Sequence, residues 1–140
     1  MARFLDSSVF LHAYLTPRRE LTESERRVKE GAKAIIARVE AGEPVVTTVV
    51  HVSEVVNVVE SWVGLAASLR LAARILSLGN VGVLSVAEED YWEALDVAQS
   101  YSVSLNDALA YVKMRQARIE EAYSFDRHFR NLPGIRVLTG

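Results

Sequence analysis

The amino-terminal stretch decides how the sequence is interpreted, because residues 3–11 read Arg3-Phe4-Leu5-Asp6-Ser7-Ser8-Val9-Phe10-Leu11. A short apolar run meets an acidic residue, two hydroxyl residues follow, and a second apolar segment then begins. This pattern predicts a buried strand with a loop or a helix N-cap directly after it. We therefore predict that Asp6 lies at the carboxyl end of a central parallel strand.

The composition is that of an ordinary globular domain. Half of the 140 residues are apolar and 24% are charged, and a chain of this length can bury a real core. We predict a single domain over residues 1–140. Cysteine is absent, which excludes disulfides and thiolate metal sites. Charged and polar residues interrupt the richest apolar run and no signal peptide is recognisable, so we expect a cytoplasmic protein that does not enter a membrane.

The net charge of −2 does not by itself indicate nucleic-acid binding, so the distribution of charge is more informative. Basic residues of the first third are mixed with glutamates and are typical of solvated helix faces. The basic residues near the end are less diluted. For that second cluster a phosphate-facing role and a solvated surface remain equally open, and its members are Lys113, Arg115, Arg118, Arg127, Arg130 and Arg136.

Strands and helices alternate along the sequence. Helices are predicted over residues 9–15, about 22–41, 48–63, 65–78, 88–101 and about 104–119. Strands are predicted at the start of the chain and over residues 44–47, 81–86, 122–125 and 135–138. We therefore predict an α/β fold, a three-layer sandwich in which helices flank a five-stranded, mainly parallel sheet. Trp62, Trp92, Leu95 and Val97 are predicted to be core or interface residues.

The valine-rich segment 48–63 is ambiguous by propensity, since valine favours strands. Its periodicity resolves the ambiguity. At 100° per residue, Glu54 and Asn57 fall on one arc, whereas Val52, Val55 and Val59 fall on the opposite arc. The segment is therefore predicted to be a helix that carries Glu54 on its polar face.

Four acidic residues stand at element ends or on otherwise apolar helices: Asp6, Glu54, Asp107 and Asp126. Each has a structural explanation when taken alone, as a helix cap, a solvated face, part of a capping box or a turn. The predicted topology, however, brings all four toward one edge of the sheet. In parallel α/β sheets, sites form outside the carboxyl ends of the strands.

The energetics of such a cluster point to bound cations. Two carboxylates about 5 Å apart repel each other by roughly 3 kcal/mol at an effective dielectric constant near 20. Four carboxylates can coexist only if cations neutralise them or if some of their pKa values rise. Oxygen ligands without histidine or cysteine favour Mg²⁺ or Mn²⁺, and these ions suit phosphodiester hydrolysis.

The same residues carry a family resemblance that covers nearly the whole chain. The sequence resembles the PIN-domain ribonucleases, specifically the small VapC-type toxins of toxin–antitoxin pairs. The matching segments are Phe4-Leu5-Asp6-Ser7-Ser8-Val9, Thr47-Thr48-Val49-Val50-His51-Val52-Ser53-Glu54-Val55, Leu105-Asn106-Asp107-Ala108-Leu109 and Tyr123-Ser124-Phe125-Asp126-Arg127-His128-Phe129.

The resemblance implies a specific activity and specific partners. Asp6, Glu54, Asp107 and Asp126 would be the catalytic, metal-binding quartet, with Mg²⁺ or Mn²⁺ as the cofactor. The implied reaction is cleavage of RNA that leaves 5′-phosphate and 3′-hydroxyl ends. The implied assembly is a homodimer, silenced by an antitoxin whose tail fills the acidic groove. Ser124 would be a hydroxyl that orients a carboxylate or a water.

Other polar residues receive weaker predictions. The hydroxyls of Ser7 and Ser8 are predicted to cap the first helix and to lie near the metal. Asn106 either supports the site or favours the start of its helix. His12 and His51 are interpreted as packed or exposed helix residues, and His128 as a surface turn residue. Three arginines are candidates to hold the RNA backbone: Arg115, Arg127 and Arg130.

Two alternatives compete with the nuclease interpretation. One is a catalytically inactive PIN-like module that binds RNA or a protein in the same groove. The other is a phosphoacceptor receiver domain, which is also an α/β fold with clustered aspartates. A receiver requires paired acids after the first strand and a lysine after the last strand. In this sequence one acidic residue, Asp6, follows the first strand, and Arg136 lies within the last strand where no lysine follows.

Overall fold

The computed structural model of the protein describes residues 2–140, and Met1 of the predicted domain lies outside this range. Within it, five strands and six α-helices alternate. The strands are β1 (Arg3–Leu5), β2 (Val45–Thr48), β3 (Val81–Leu84), β4 (Glu121–Tyr123) and β5 (Arg136–Leu138). The helices are α1 (Ser7–Tyr14), α2 (Glu23–Glu40), α3 (Val49–Val63), α4 (Leu65–Ser77), α5 (Glu88–Tyr101) and α6 (Leu105–Gln116). A 3₁₀ helix (Arg127–Asn131) precedes β5.

The strands form one sheet in the order β3-β2-β1-β4-β5, and all four pairings are parallel. The strand β1 lies at the centre, where Phe4 pairs in register with Val46 on one side and Ala122 on the other. The five-stranded parallel sheet that the sequence predicts is confirmed. Because all strands are parallel, every carboxyl end lies at the same edge of the sheet.

The pleat of β1 joins the two faces of the molecule. Phe4 and Leu5 are both fully buried but point to opposite faces, as successive strand residues must. Leu5 packs into the core formed with α1 to α4, whereas Phe4 packs against residues of α6 and Phe129. Helices therefore cover both faces of the sheet, which confirms the three-layer sandwich.

The valine-rich segment is helical, as its periodicity predicts. Thr48 caps α3, since its Oγ1 accepts hydrogen bonds from the N–H groups of Val50 (3.1 Å) and His51 (3.2 Å). Val55 and Val59 are buried, and Glu54 lies on the less buried side of the helix. Tertiary burial of one helical face has outweighed the strand preference of valine.

Core positions are wrong for Trp92, Leu95 and Trp62, because 64%, 40% and 50% of their surfaces, respectively, are exposed. The helix α5 instead faces the core with Asp90 and Ala94. The alternative, that Trp62 and Trp92 lie at an interface, stays a prediction. The segment between β4 and β5 contains the 3₁₀ helix. Within residues 2–140, none of the helices has the length and apolar character to cross a membrane.

Candidate active site

The four predicted acidic residues enter the carboxyl edge of the sheet from different elements. Asp6 directly follows β1, and Asp126 follows β4 and begins the 3₁₀ helix. Glu54 lies on the second turn of α3, and Asp107 lies on the first turn of α6. The alternation of strands and helices therefore delivers one carboxylate from each of four segments that are distant in sequence.

The carboxylate of Asp6 is held on one side by two serines. Its Oδ2 accepts hydrogen bonds from Ser8 Oγ (2.7 Å) and Ser124 Oγ (2.8 Å). The backbone N–H of Asp6 donates to the carbonyl of Tyr123 (3.0 Å), which continues the pairing of β1 with β4. Asp6 is 3% exposed. Two hydroxyl donors on Oδ2 fix the rotation of the carboxylate and leave Oδ1 for another partner.

The same two hydroxyls tie Asp6 to the loop that carries Asp126. Ser124 Oγ accepts a hydrogen bond from the N–H of Asp126 (3.1 Å), and Ser8 Oγ accepts one from the N–H of Phe125 (3.0 Å). Asp126 Oδ1 in turn accepts from the N–H of His128 (2.9 Å) and thereby caps the 3₁₀ helix. Ser8 and Ser124 therefore position the first and last carboxylates together.

Ser7 has a matching role toward Glu54, and its Oγ donates to Glu54 Oε1 at 2.5 Å. The prediction that Ser7 and Ser8 cap α1 is wrong, since Asp6 is the N-cap residue and the two serines begin the helix. This one-position difference matters, because it turns both hydroxyls toward carboxylates. Three consecutive residues at the start of α1 thus contact two other parts of the chain: Asp6 and Ser8 bond to the segment that follows β4, and Ser7 bonds to α3.

Asp107 is buried, and one of its two carboxylate oxygens lacks a hydrogen-bond partner among residues 2–140. It is 4% exposed, and the oxygen that lacks a partner in this range is Oδ2. Burial is the largest cause that raises the pKa of Asp107 to about 8, and the nearby carboxylates of Asp126 and Asp6 raise it further. The N–H of Asp107 donates to Ser104 Oγ (3.1 Å), so Ser104 caps the start of α6.

His51 is a site residue that the sequence reasoning missed. Its ring is 1% exposed and its Nε2 lies 3.9 Å from Asp6 Oδ1. Burial lowers the pKa of His51 against the opposing effects of the Asp6 and Glu54 carboxylates and of the Asn106 backbone, and so favours the neutral ring. The available signal was spacing, because His51 precedes Glu54 by three residues and so lies one helical turn away.

Asn106 and the three candidate arginines occupy different positions. Asn106 adjoins Asp107 and lines an open hollow together with Glu54. Arg127 and Arg130 are exposed on the 3₁₀ helix that follows Asp126. Arg115 lies eight residues beyond Asp107 on α6, about 12 Å along the helix axis, and its guanidinium stacks over Tyr111. Only the first two arginines are close in sequence to a site carboxylate.

The donors present are chemically suited to a hard divalent cation. They are carboxylate and hydroxyl oxygens, and one of the oxygens, Asp107 Oδ2, is buried without a partner in the described chain. No three acidic or histidine side chains within residues 2–140 are already arranged around a common centre. Ser8 and Ser124 hold Asp6, and Ser7 holds Glu54. The carboxylates would move together around one centre when a bound cation neutralises their charge.

The family model of the PIN domain matches residues 3–135. The chain belongs to the PIN-domain family. The match spans the segments that carry all four acidic residues, from Asp6 to Asp126. The predicted resemblance is therefore confirmed.

Three solved structures with a similar fold are examples of what the chain resembles. Mycobacterium tuberculosis VapC20, described as a Sarcin-Ricin loop cleaving toxin, is 25% identical and aligns over 92% of this chain and 93% of that chain with a TM-score of 0.69. A toxin–antitoxin complex from Klebsiella pneumoniae is 17% identical, with 99% and 97% coverage and a TM-score of 0.64. PAE2754 from Pyrobaculum aerophilum is 16% identical, with 97% and 88% coverage and a TM-score of 0.63. The search of curated proteins gave no match.

Proposed function

We propose that this PIN-domain protein is a Mg²⁺- or Mn²⁺-dependent endoribonuclease and the toxin of a toxin–antitoxin pair. The observation that carries the proposal is the uncompensated carboxylate of Asp107, buried beside Asp6 and Asp126. A buried carboxyl group whose pKa rises to about 8 is expensive to ionise, and a divalent cation removes that cost. Structural ion pairs do not explain it, because its Oδ2 lacks a partner within residues 2–140.

The chain's own residues would prepare the site for hydrolysis. Asp6, Glu54, Asp107 and Asp126 would hold the cation. When bound, Mg²⁺ or Mn²⁺ supplies a Lewis acid that lowers the pKa of an attacking water and neutralises charge that develops on the phosphate. Ser8 and Ser124 keep Asp6 in one rotamer through Oδ2, and Ser7 restrains Glu54.

Protonation of Asp107 makes cation binding depend on pH. In the cation-free protein its raised pKa keeps the carboxyl largely protonated at pH 7. Binding of a cation requires the carboxylate form and so releases that proton. Exposed Arg127 and Arg130 lie beside Asp126 and are placed to contact the RNA backbone, whereas Arg115 is more distant along its helix.

The biological setting is also part of the proposal. The likeness to VapC20, itself described as a toxin that cleaves the Sarcin-Ricin loop, supports RNA as the substrate. The fold shared with the toxin–antitoxin complex from Klebsiella pneumoniae supports an antitoxin as the partner. We further propose a homodimer that acts in the cytoplasm, where RNA is translated. Large apolar side chains exposed on three consecutive helices are consistent with protein partners, and these are Trp62, Leu69 and Trp92.

A cleavage assay tests the proposed function. Purified protein should cut structured RNA in Mg²⁺ or Mn²⁺, stop in EDTA, and leave 5′-phosphate ends that a phosphate-dependent exonuclease degrades. Asp6→Asn should abolish cleavage, whereas the same change at the exposed Asp96 should leave the rate unchanged. Cation-free Asp6→Asn should be as stable as the wild-type protein or more so, because the substitution removes carboxylate repulsion.

The outcomes separate the nuclease from the inactive binding module. RNA binding without cleavage in either cation would favour the inactive PIN-like module. Full activity of a contamination-free Asp6→Asn preparation would contradict the proposed mechanism.

A further inference from the structure

The hydrogen bonds around Thr48 determine which nitrogen of His51 carries the proton. Thr48 Oγ1 accepts from two backbone N–H groups, those of Val50 and His51. The hydroxyl hydrogen is therefore free to donate, and the ring nitrogen Nδ1 of His51 lies 2.7 Å from Oγ1. Since Nδ1 accepts this hydrogen bond, the proton of the neutral imidazole resides on Nε2.

The Nε2–H group is buried and points toward the carboxylate edge of the sheet. His51 is 1% exposed, and its Nε2 makes no hydrogen bond within the described part of the chain, although the backbone carbonyl of Asn106 lies near enough to the ring to raise its pKa. The nearest carboxylate oxygen is Asp6 Oδ1 at 3.9 Å, the oxygen that the two serines leave free. Phe4 packs edge-on against the ring with centroids 5.2 Å apart and restrains its orientation.

We propose that His51 is a positioning residue whose Nε2–H donates a hydrogen bond to Asp6 Oδ1 and orients this carboxylate for the cation. The inference rests on the proposed metal-dependent function, because Asp6 is one of its ligands. The separation of 3.9 Å exceeds a hydrogen bond, so the contact tightens when Asp6 binds the cation. Asp6 is then fixed through both of its oxygens.

Such an arrangement is what a metal ligand needs from its neighbours. Groups that hydrogen-bond to a ligand set its rotation and its charge, and their loss typically weakens metal affinity or activity about 10–100-fold. A histidine that only filled space against Phe4, with the backbone of Asn106 as its polar neighbour, would not need its Nε2 beside the free oxygen of Asp6. The positioning role and the space-filling role predict different cation affinities for a variant in which only the Nε2–H donor is lost.

Two amide substitutions separate the two ring nitrogens. The amide nitrogen of glutamine in His51→Gln occupies about the position of Nε2, so this variant retains a donor toward Asp6. The amide of His51→Asn occupies about the position of Nδ1, so this variant retains the contact with Thr48 and loses the donor. We expect Mn²⁺ affinity within about threefold of wild type for His51→Gln, and at least about 10-fold weaker affinity for His51→Asn.

Calorimetric titration of Mn²⁺ into the RNA-free protein gives this comparison without an activity readout. Circular dichroism establishes that each variant is folded. His12→Asn provides the matched control, because His12 lies on α1 outside the carboxylate cluster and packs against Phe125. The control should bind Mn²⁺ as the wild-type protein does. Equal Mn²⁺ affinity of folded His51→Asn and wild type would overturn the inference.

Nuclear magnetic resonance of the wild-type ring tests the same inference without any substitution. Long-range ¹H–¹⁵N spectra should show the Nε2–H tautomer of His51, and addition of Mg²⁺ should shift the Nε2 and Hε2 resonances more than those of His12. An Nδ1–H tautomer, or resonances unmoved at saturating Mg²⁺, would overturn the inference. This measurement decides the matter if His51→Asn fails to fold.

The experiments distinguish this inference from the function on which it depends. A wild-type protein that binds neither Mn²⁺ nor Mg²⁺ would remove the proposed function and the role of His51 together. A wild-type protein that binds the cation and cuts RNA, beside a His51→Asn variant that does both equally well, would remove only the role of His51.

Discussion

Two buried aspartates at the same helical position have opposite electrostatic environments. Asp90 is the third residue of α5 and 6% exposed, whereas Asp107 is the third residue of α6 and 4% exposed. The carboxylate of Asp90 accepts hydrogen bonds from the N–H of Ala87 (2.8 Å), Gln116 Nε2 (2.8 Å) and Lys113 Nζ (3.2 Å). These contacts lower the pKa of Asp90, with the Ala87 N–H contributing most.

Asp107 has burial without those partners, and its pKa rises instead to about 8. The two side chains differ little in exposed surface, in residue type and in helical position, but Asp107 is buried more deeply: burial is the largest cause of its raised pKa, whereas at Asp90 the hydrogen bonds from Ala87 and Gln116 outweigh burial. A small exposed surface is therefore not by itself the mark of a functional site in this protein. The mark is burial without compensating donors, beside other carboxylates, because only such a group gains from an added cation.

Asparagine substitutions at the two positions should have unequal effects on activity. Asp107→Asn removes one of the proposed cation ligands and should lower RNA cleavage on the order of 10³-fold, the equivalent of several kcal/mol of transition-state stabilisation. Asp90→Asn should leave the cleavage rate within about threefold of wild type, since Asp90 bonds to Lys113 and Gln116 at the far end of α6 and not to the site carboxylates. Both rates can be measured with one fluorescent RNA under single-turnover conditions. A comparable loss of cleavage rate in Asp90→Asn would contradict the functional difference between the two aspartates.

Removal of the Lys113 ammonium group, which pairs with Asp90, should leave the Asp90 carboxylate as an unpaired buried charge. Lys113→Met should lower the free energy of unfolding by about 2 kcal/mol, because the partner carboxylate stays buried near Gln116. Denaturant unfolding measures this loss. The double variant Asp90→Asn/Lys113→Met should recover more than half of it, and additive losses in the two single variants would show that the pair is not coupled.

The two aspartates should also give opposite pH dependences of stability. The pKa of Asp107 is higher in the folded protein than in the unfolded chain, so its contribution is full below about pH 4 and is lost as pH rises toward 8. In EDTA, the wild-type protein should lose about 1–2 kcal/mol of unfolding free energy between pH 6.5 and 8.5. The decline should vanish in Asp107→Asn.

Asp90 supplies the other half of this measurement. Its pKa is lowered by folding, so its contribution is present above about pH 4 and is lost as pH falls through the folded pKa. The Asp90→Asn variant should therefore keep the decline between pH 6.5 and 8.5. A flat wild-type profile over this interval would mean that Asp107 is already compensated.

Much of the fold is predictable because local patterns and topology agree. The apolar run before Asp6 and the alternation of elements predict a parallel sheet with β1 buried, and Phe4 and Leu5 are indeed fully buried. The exposure of Trp92 and Leu95 was not predictable. The face that α5 buries depends on its neighbour α6, whose Lys113 and Gln116 attract Asp90 to the inner side.

The candidate site divides in the same way. The convergence of Asp6 and Asp126 follows from strand ends that share an edge, a property of topology. The lowered pKa of Asp90 depends most on the N–H of Ala87, three residues away, and further on Lys113 and Gln116, which lie 23 and 26 residues away and which no local pattern encodes. The orientation of His51 depends on Thr48 and Phe4 and requires the packed structure.

Thermal unfolding of the wild-type protein and Asp107→Asn, in EDTA and in Mn²⁺, tests the central claim most directly. In EDTA, Asp107→Asn should unfold at the higher temperature, because a buried, uncompensated carboxyl group is gone. In Mn²⁺ the order should reverse, because only the wild-type carboxylate gains from the bound cation. The same order in both solutions, or a wild-type protein that Mn²⁺ does not stabilise, would contradict the assignment of these carboxylates to a cation site.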